Sequence, residues 1–176
     1  MPSKIQIISI IAGMIFGITF TLYTVSNAVP EWTKISIEDG TERSGLWRAC
    51  TTYPYRSECH ALACPAHRDD AGFCKRIIAG RAFMTLACII SGVVTICFLI
   101  SAAISDRYNR LLLVPAKILG FVCLIMGIIG VGVGGSISQL LRQSGNEFTF
   151  GVGAIVGVVA IIINFFGAII VLFAKE

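Results

Sequence analysis

Four apolar runs, from about Ile5 to Val29, Ala82 to Ile104, Ala116 to Ser138 and Phe150 to Ala174, constrain this chain more than any other feature. Each is long enough to cross a hydrocarbon layer of roughly 30 Å at about 1.5 Å per helical residue. The composition agrees: 56% of residues are hydrophobic, only 14% are charged, and the mean hydropathy is +0.84. That balance is far from a soluble domain's. The spans use most of the 176 residues and leave a first loop of about residues 30–81, a connection at 105–115 and a last loop at 139–149. One membrane domain is expected, a four-transmembrane-helix bundle with a small extracellular antiparallel β-sheet formed mainly by the first loop.

The first run begins after Lys4 and ends in Ser26-Asn27-Ala28, small residues of the kind found at signal cleavage sites. Its apolar core is longer than the roughly 7–15 residues of a signal peptide, and removing it would leave an odd number of spans, so a retained helix is expected. Orientation sets two rules against each other. The long loop carries Lys34, Arg43, Arg48, Arg56, Arg68, Lys75, Arg76 and Arg81, which a simple positive-inside count would hold in the cytoplasm. It also carries Cys50, Cys59, Cys64 and Cys74, an even set that suits an oxidising compartment. The short connections agree with the cysteines, because Arg107, Arg110 and Lys117 cluster between spans two and three while the last loop has Arg142 alone. Both termini are therefore expected in the cytoplasm, and the long loop outside a plasma membrane.

Within that loop, Thr33 to Ile37 alternates polar and apolar with Ile35 and Ile37 on one face, and Asp39-Gly40 supplies hairpin turn residues. A second strand over Thr41 to Thr52 is expected to pair back. Tyr53-Pro54-Tyr55 then turns the chain so that Cys59 reaches Cys50. A sheet this small needs such a staple. Four cysteines allow three pairings, between which the sequence does not choose; Cys50 with Cys59 and Cys64 with Cys74 is the one expected from their order. Cys59, His60, Cys64, His67 and Cys74 also offer a zinc set, but thiolates outside the cell are more often oxidised, so disulfides and no metal are expected.

Pro30-Glu31-Trp32, Gly45-Leu46-Trp47, Cys50 and Cys59, with Arg81 opening the second span, resemble the signature of the claudin superfamily. That superfamily includes peripheral myelin protein 22, the epithelial membrane proteins and the calcium-channel gamma subunits. The order covers the whole chain. Glu147-Phe148-Thr149-Phe150-Gly151 resembles the aromatic end of the second claudin loop, whereas Ser44 to Arg48 followed by Cys50 also resembles channel gamma subunits. The chain departs from the pattern in its extra Cys64 and Cys74 and in a longer stretch from Cys59 to Arg81. It stops at Ala174-Lys175-Glu176, so no PDZ scaffold is expected through the C-terminus. Physically, Trp32 and Trp47 suit the outer end of a bundle, since indole is apolar with one polar tip. Gly45 either lets the backbone pass close by or adopts positive φ.

The spans read as structural. Gly13 and Gly17, Gly130 and Gly134, and Gly153 and Gly157 are small pairs that allow close helix approach. Cys88, Cys97 and Cys123 are expected as buried thiols, and Asn164 as a hydrogen bond across helices. No Asp, Glu, Lys or Arg lies deep in a span, which argues against a transporter. The loop acids show no catalytic spacing, so no enzyme, no cofactor and no nucleic-acid partner are expected. Cysteine placement also excludes tetraspanins and gap-junction proteins. Two functions survive. The resemblance implies a junctional adhesion protein that binds itself or related claudin-like chains, laterally and across cell contacts, to form a paracellular barrier or pore. The alternative is an auxiliary subunit of an ion channel. Phe148 and Phe150 are the adhesion candidates, placed where a short strand can join the sheet's edge. His60, Arg68, Lys75 and Arg76 are the charge-selectivity candidates: the fixed cations favour anions, and His60 adds to them in acid.

Overall fold

Each apolar run is a helix in the computed structural model, which describes residues 4–37, 40–62, 71–104, 106–142 and 148–173. In chain order the helices are α1 (Lys4–Ala28), α2 (Ala71–Ala103), α3 (Asp106–Arg142) and α4 (Val152–Phe173). All four are long and apolar enough to cross a membrane. Between α1 and α2 lie β1 (Thr33–Ile37), β2 (Gly40–Ser44), β3 (Arg48–Tyr53) and β4 (Arg56–Ala61), and β5 (Phe148–Phe150) precedes α4. They form one antiparallel sheet in the order β4-β3-β2-β1-β5. Asp39 in the expected first turn, Cys64, His67 and Arg68 in the loop, and the terminal Ala174-Lys175-Glu176 lie outside the described residues.

Two boundaries differ from the sequence expectation. The second helix starts at Ala71, not near Ala82, and the third starts at Asp106, not near Ala116. At about 1.5 Å per residue α3 is about 55 Å long, so its ends project beyond a hydrocarbon layer of roughly 30 Å. The charges at Lys75, Arg76 and Arg81 mark where α2 leaves the lipid, but nothing in Ala71 to Arg81 stops a helix. Ile77 in that stretch is buried. Proline does not stop α3 either, since Pro115 lies inside it. The expected strand over Thr41 to Thr52 is two strands, because the chain breaks its ladder at Gly45-Leu46-Trp47 to turn Leu46 into the bundle.

One cluster of buried side chains joins sheet to bundle: Trp32 and Leu46 from the loop pack with Tyr23, Met84, Ala87, Cys123, Ala154 and Ala160. A second cluster fills the other end, where Phe16 stacks on Phe98 with ring centroids 5.7 Å apart. The small-residue pairs serve contacts within this chain. Gly13 lies against Leu99, Gly130 against Met84, and Gly157 against Ser26 and Val131. Asn164 of α4 donates to Tyr23 Oη of α1 at 3.4 Å. Cys88 and Cys123 are buried as expected, whereas Cys97 is only half-buried. The outer helix faces carry Ile, Leu, Val and Phe, as lipid requires.

Candidate functional site

Trp32 is the point where the loop meets the bundle. Its Nε1 donates to Ser26 O at 2.7 Å, and the ring is 3% exposed. The indole fills a slot between α3 and α4 that only glycine allows: a Cβ on Gly134 would lie 2.4 Å from Cζ3, and one on Gly153 2.8 Å from Cδ1. Backbone bonds complete the joint. Trp32 N donates to Ser44 O at 2.9 Å, Gly151 N to Trp32 O at 3.0 Å and Gly153 N to Glu31 O at 2.8 Å. Ser26 Oγ donates to Gly153 O at 2.7 Å. Ser26 and Asn27, which resemble part of a cleavage site in sequence, are therefore the hinge pins of the loop. Being polar at the end of an apolar run, they carry no pattern that distinguishes the two roles.

Gly45-Leu46-Trp47 makes the second joint. A Cβ on Gly45 would lie 2.5 Å from Pro30 Cα, so close backbone approach explains this glycine. Leu46 is fully buried, while Trp47 is half-exposed with its Nε1 donating to Asn27 Oδ1 at 2.9 Å. Arg81 reaches up from α2 and ties both ends of the β3–β4 hairpin. Its Nε donates to Leu46 O at 2.6 Å, its Nη2 donates to Leu62 O at 2.7 Å, and its guanidinium carbon sits 5.0 Å from the centre of the Trp47 ring. Two carbonyls reached by separate nitrogens of one side chain suit a planar fork of donors better than an ammonium.

Cys50 and Cys59 face each other directly across β3 and β4 and are bridged. Cys74, on the first turns of α2, is also disulfide-bonded. With Cys59 and Cys74 both oxidised, neither is a thiolate for zinc, and the zinc reading loses two of its five ligands.

The basic residues do not form one uniform stripe. Arg43 pairs with Glu31, Arg56 with Glu58 at 2.6 Å, and His60 Nε2 lies 3.8 Å from Glu58. Arg76 donates to Ser136 O at 3.3 Å and so fastens α2 to the end of α3. That is a structural task for a residue the sequence marks for selectivity. Lys75 is exposed, as is His60 on the edge strand β4. The exposed pairs are worth about 0–1 kcal/mol each, so they shape the field more than the fold.

At the opposite edge of the sheet, β5 pairs with β1, with Ile35 opposite Phe148 and Thr33 opposite Phe150. The last loop thus completes the sheet begun by the first. Phe150 is 66% exposed just above the start of α4, an aromatic rim where sheet meets membrane. Glu31, which locks Arg43 and takes the Gly153 hydrogen bond, lies inside the sequence signature but shows no sign of either role before the fold is known.

A family described as PMP-22/EMP/MP20/Claudin matches residues 3–171 of the chain. No curated relative matches it.

Proposed function

The chain belongs to the PMP-22/EMP/MP20/Claudin family, and from that premise we propose that this multi-pass membrane protein is a junctional adhesion protein. Copies associate side by side and across cell contacts through the outer sheet, sealing or selecting the path between cells. The observation that carries this reading is the five-stranded sheet closed by β5, with Phe150 exposed at one rim and the exposed strand β4 at the other. An exposed edge strand and an aromatic rim are features that pair protein surfaces. Two observations support an extracellular sheet with both termini in the cytoplasm. Its Cys50 and Cys59 are disulfide-bonded, and Arg107, Arg110 and Lys117 fall in the first turns of α3, at the end of the bundle opposite the sheet.

A second reading, an auxiliary subunit of an ion channel, is favoured by one observation. An apolar groove of about 430 Å³ lies between α3 and α4, lined by Val131, Gly135, Ala154 and Val158 among others, a surface that a neighbouring helix's side chains could fill. Mosaic cell sheets separate the two. Adhesion concentrates the tagged protein only at borders between two expressing cells; a channel subunit distributes with its channel, whatever the neighbour expresses.

A further inference from the structure

Where α1 meets the loop there is a recess of about 490 Å³, lined by Thr24, Asn27, Ala28, Pro30, Trp47 and Arg48. Its size falls within the about 300–1,000 Å³ typical of small-ligand sites. It lies at the outer end of the first span, the depth at which indoles and lipid headgroups meet.

Most polar groups around it are already committed. Trp47 Nε1 donates to Asn27, Asn27 Nδ2 donates to Thr85 Oγ1 at 3.3 Å, and Thr24 Oγ1 donates to Phe20 O at 2.8 Å. Arg81 covers one face of the Trp47 ring. Arg48 differs: it is exposed, and among the described residues no carboxylate pairs with it, unlike Arg43 and Arg56. A guanidinium matches phosphate with two parallel hydrogen bonds. The other wall is the last turn of α1, whose carbonyl end favours a cation. Below the recess the surface turns apolar, with Phe20, Val25 and Ile89 all exposed, and Phe20 bridges to Gly92 of α2 so that this surface is continuous across both helices.

A cation site, an anion site and an apolar track in that order match one amphiphile. We infer that the recess holds the headgroup of a zwitterionic outer-leaflet glycerophospholipid. Its phosphodiester rests on Arg48, its ammonium lies toward the end of α1, and an acyl chain lies along Phe20 and Val25. The inference rests on the membrane placement of the helices and on the extracellular sheet proposed above, so it stands or falls apart from the adhesive role.

Native mass spectrometry of the full chain, equilibrated with equal amounts of phosphatidylcholine, phosphatidylglycerol and diacylglycerol, tests it. Phosphatidylcholine is expected as the main retained adduct, with diacylglycerol, which lacks the phosphate, at least about tenfold lower. Arg48→Ala should lower phosphatidylcholine occupancy by a similar factor, and Arg48→Lys should restore part of it, which separates lost charge from lost fold. Equal retention of phosphatidylcholine and diacylglycerol, or no response to Arg48→Ala, overturns the site. Preference for phosphatidylglycerol overturns the zwitterionic assignment. Soluble glycerophosphocholine binding as tightly as the lipid overturns the membrane source.

Discussion

Replacing Arg81 by methionine keeps much of the side chain's length and removes every donor, which isolates what its guanidinium contributes. Two carbonyls, Leu46 O at 2.6 Å and Leu62 O at 2.7 Å, lose a charged partner, and the Trp47 ring loses the cation 5.0 Å from its centre. Hydrogen bonds to charged groups are worth about 1.5–3 kcal/mol each and an exposed cation–π contact about 0.5–1, a gross loss of about 3.5–7 kcal/mol. Water competes at this half-buried residue and takes up part of the loss, leaving about 2–4 kcal/mol. By the scaling of soluble domains of similar length, that lowers Tm by about 4–16 °C. Arg81→Lys keeps the charge but cannot span both carbonyls, and should lose roughly half as much. The assay is thermal unfolding of the purified protein followed by tryptophan fluorescence, with Trp47→Phe as a control that leaves Trp32 as the reporter. A Tm for Arg81→Met within about 2 °C of the parent would refute the claim that this arginine holds the hairpin to the bundle.

Further outcomes follow from the same geometry. Gly45→Ala drives a Cβ to 2.5 Å from Pro30 Cα, a backbone atom that cannot swing aside, and should cost about 1–3 kcal/mol or more, read as lost thermal stability and surface expression. Cys50→Ser removes the cross-strand bridge and should cost about 2.5 kcal/mol in the chain-entropy model, seen as a Tm drop that reducing agent does not enlarge by the same amount. Phe150→Ala and Phe148→Ala should weaken clustering at cell contacts, with the Tm of Phe150→Ala within about 2 °C of the parent, since Phe150 is mostly exposed; undiminished clustering of both variants would exclude the rim as the adhesive element. If the protein forms a paracellular pore, dilution potentials should report anion preference, reduced by Arg68→Glu and screened over roughly 8 Å at physiological salt.

The bundle was legible because lipid imposes a simple rule, a long apolar helix, and the chain obeys it four times. The sheet was legible where alternation and cysteine position point the same way, as at Thr33 to Ile37 and at Cys50 opposite Cys59. What the sequence hid is the joinery. Ser26, Asn27 and Glu31 act through hydrogen bonds to backbone or side-chain atoms far along the chain, and a bond between Ser26 and Gly153, 127 residues apart, leaves no periodic trace. Two helices run past the apolar spans for a related reason. Charge marks where the lipid stops, but Ala71 to Arg81 continues helical, with Ile77 buried and Gly80 and Arg81 finding partners in the loop above. A count of arginines does not tell Arg76, which donates to Ser136 O, from the exposed Lys75.

The central claim is that the outer sheet of one copy recognises that of another, and vesicle tethering tests it without other proteins present. Purified chain is reconstituted into two dye-labelled liposome populations, and their co-clustering is measured by fluorescence cross-correlation. The account predicts clustering only when both populations carry the protein, lost on reduction of Cys50–Cys59 and weakened by Phe150→Ala. Clustering with protein-free liposomes, or none between two populations shown to display the sheet outward, would contradict it.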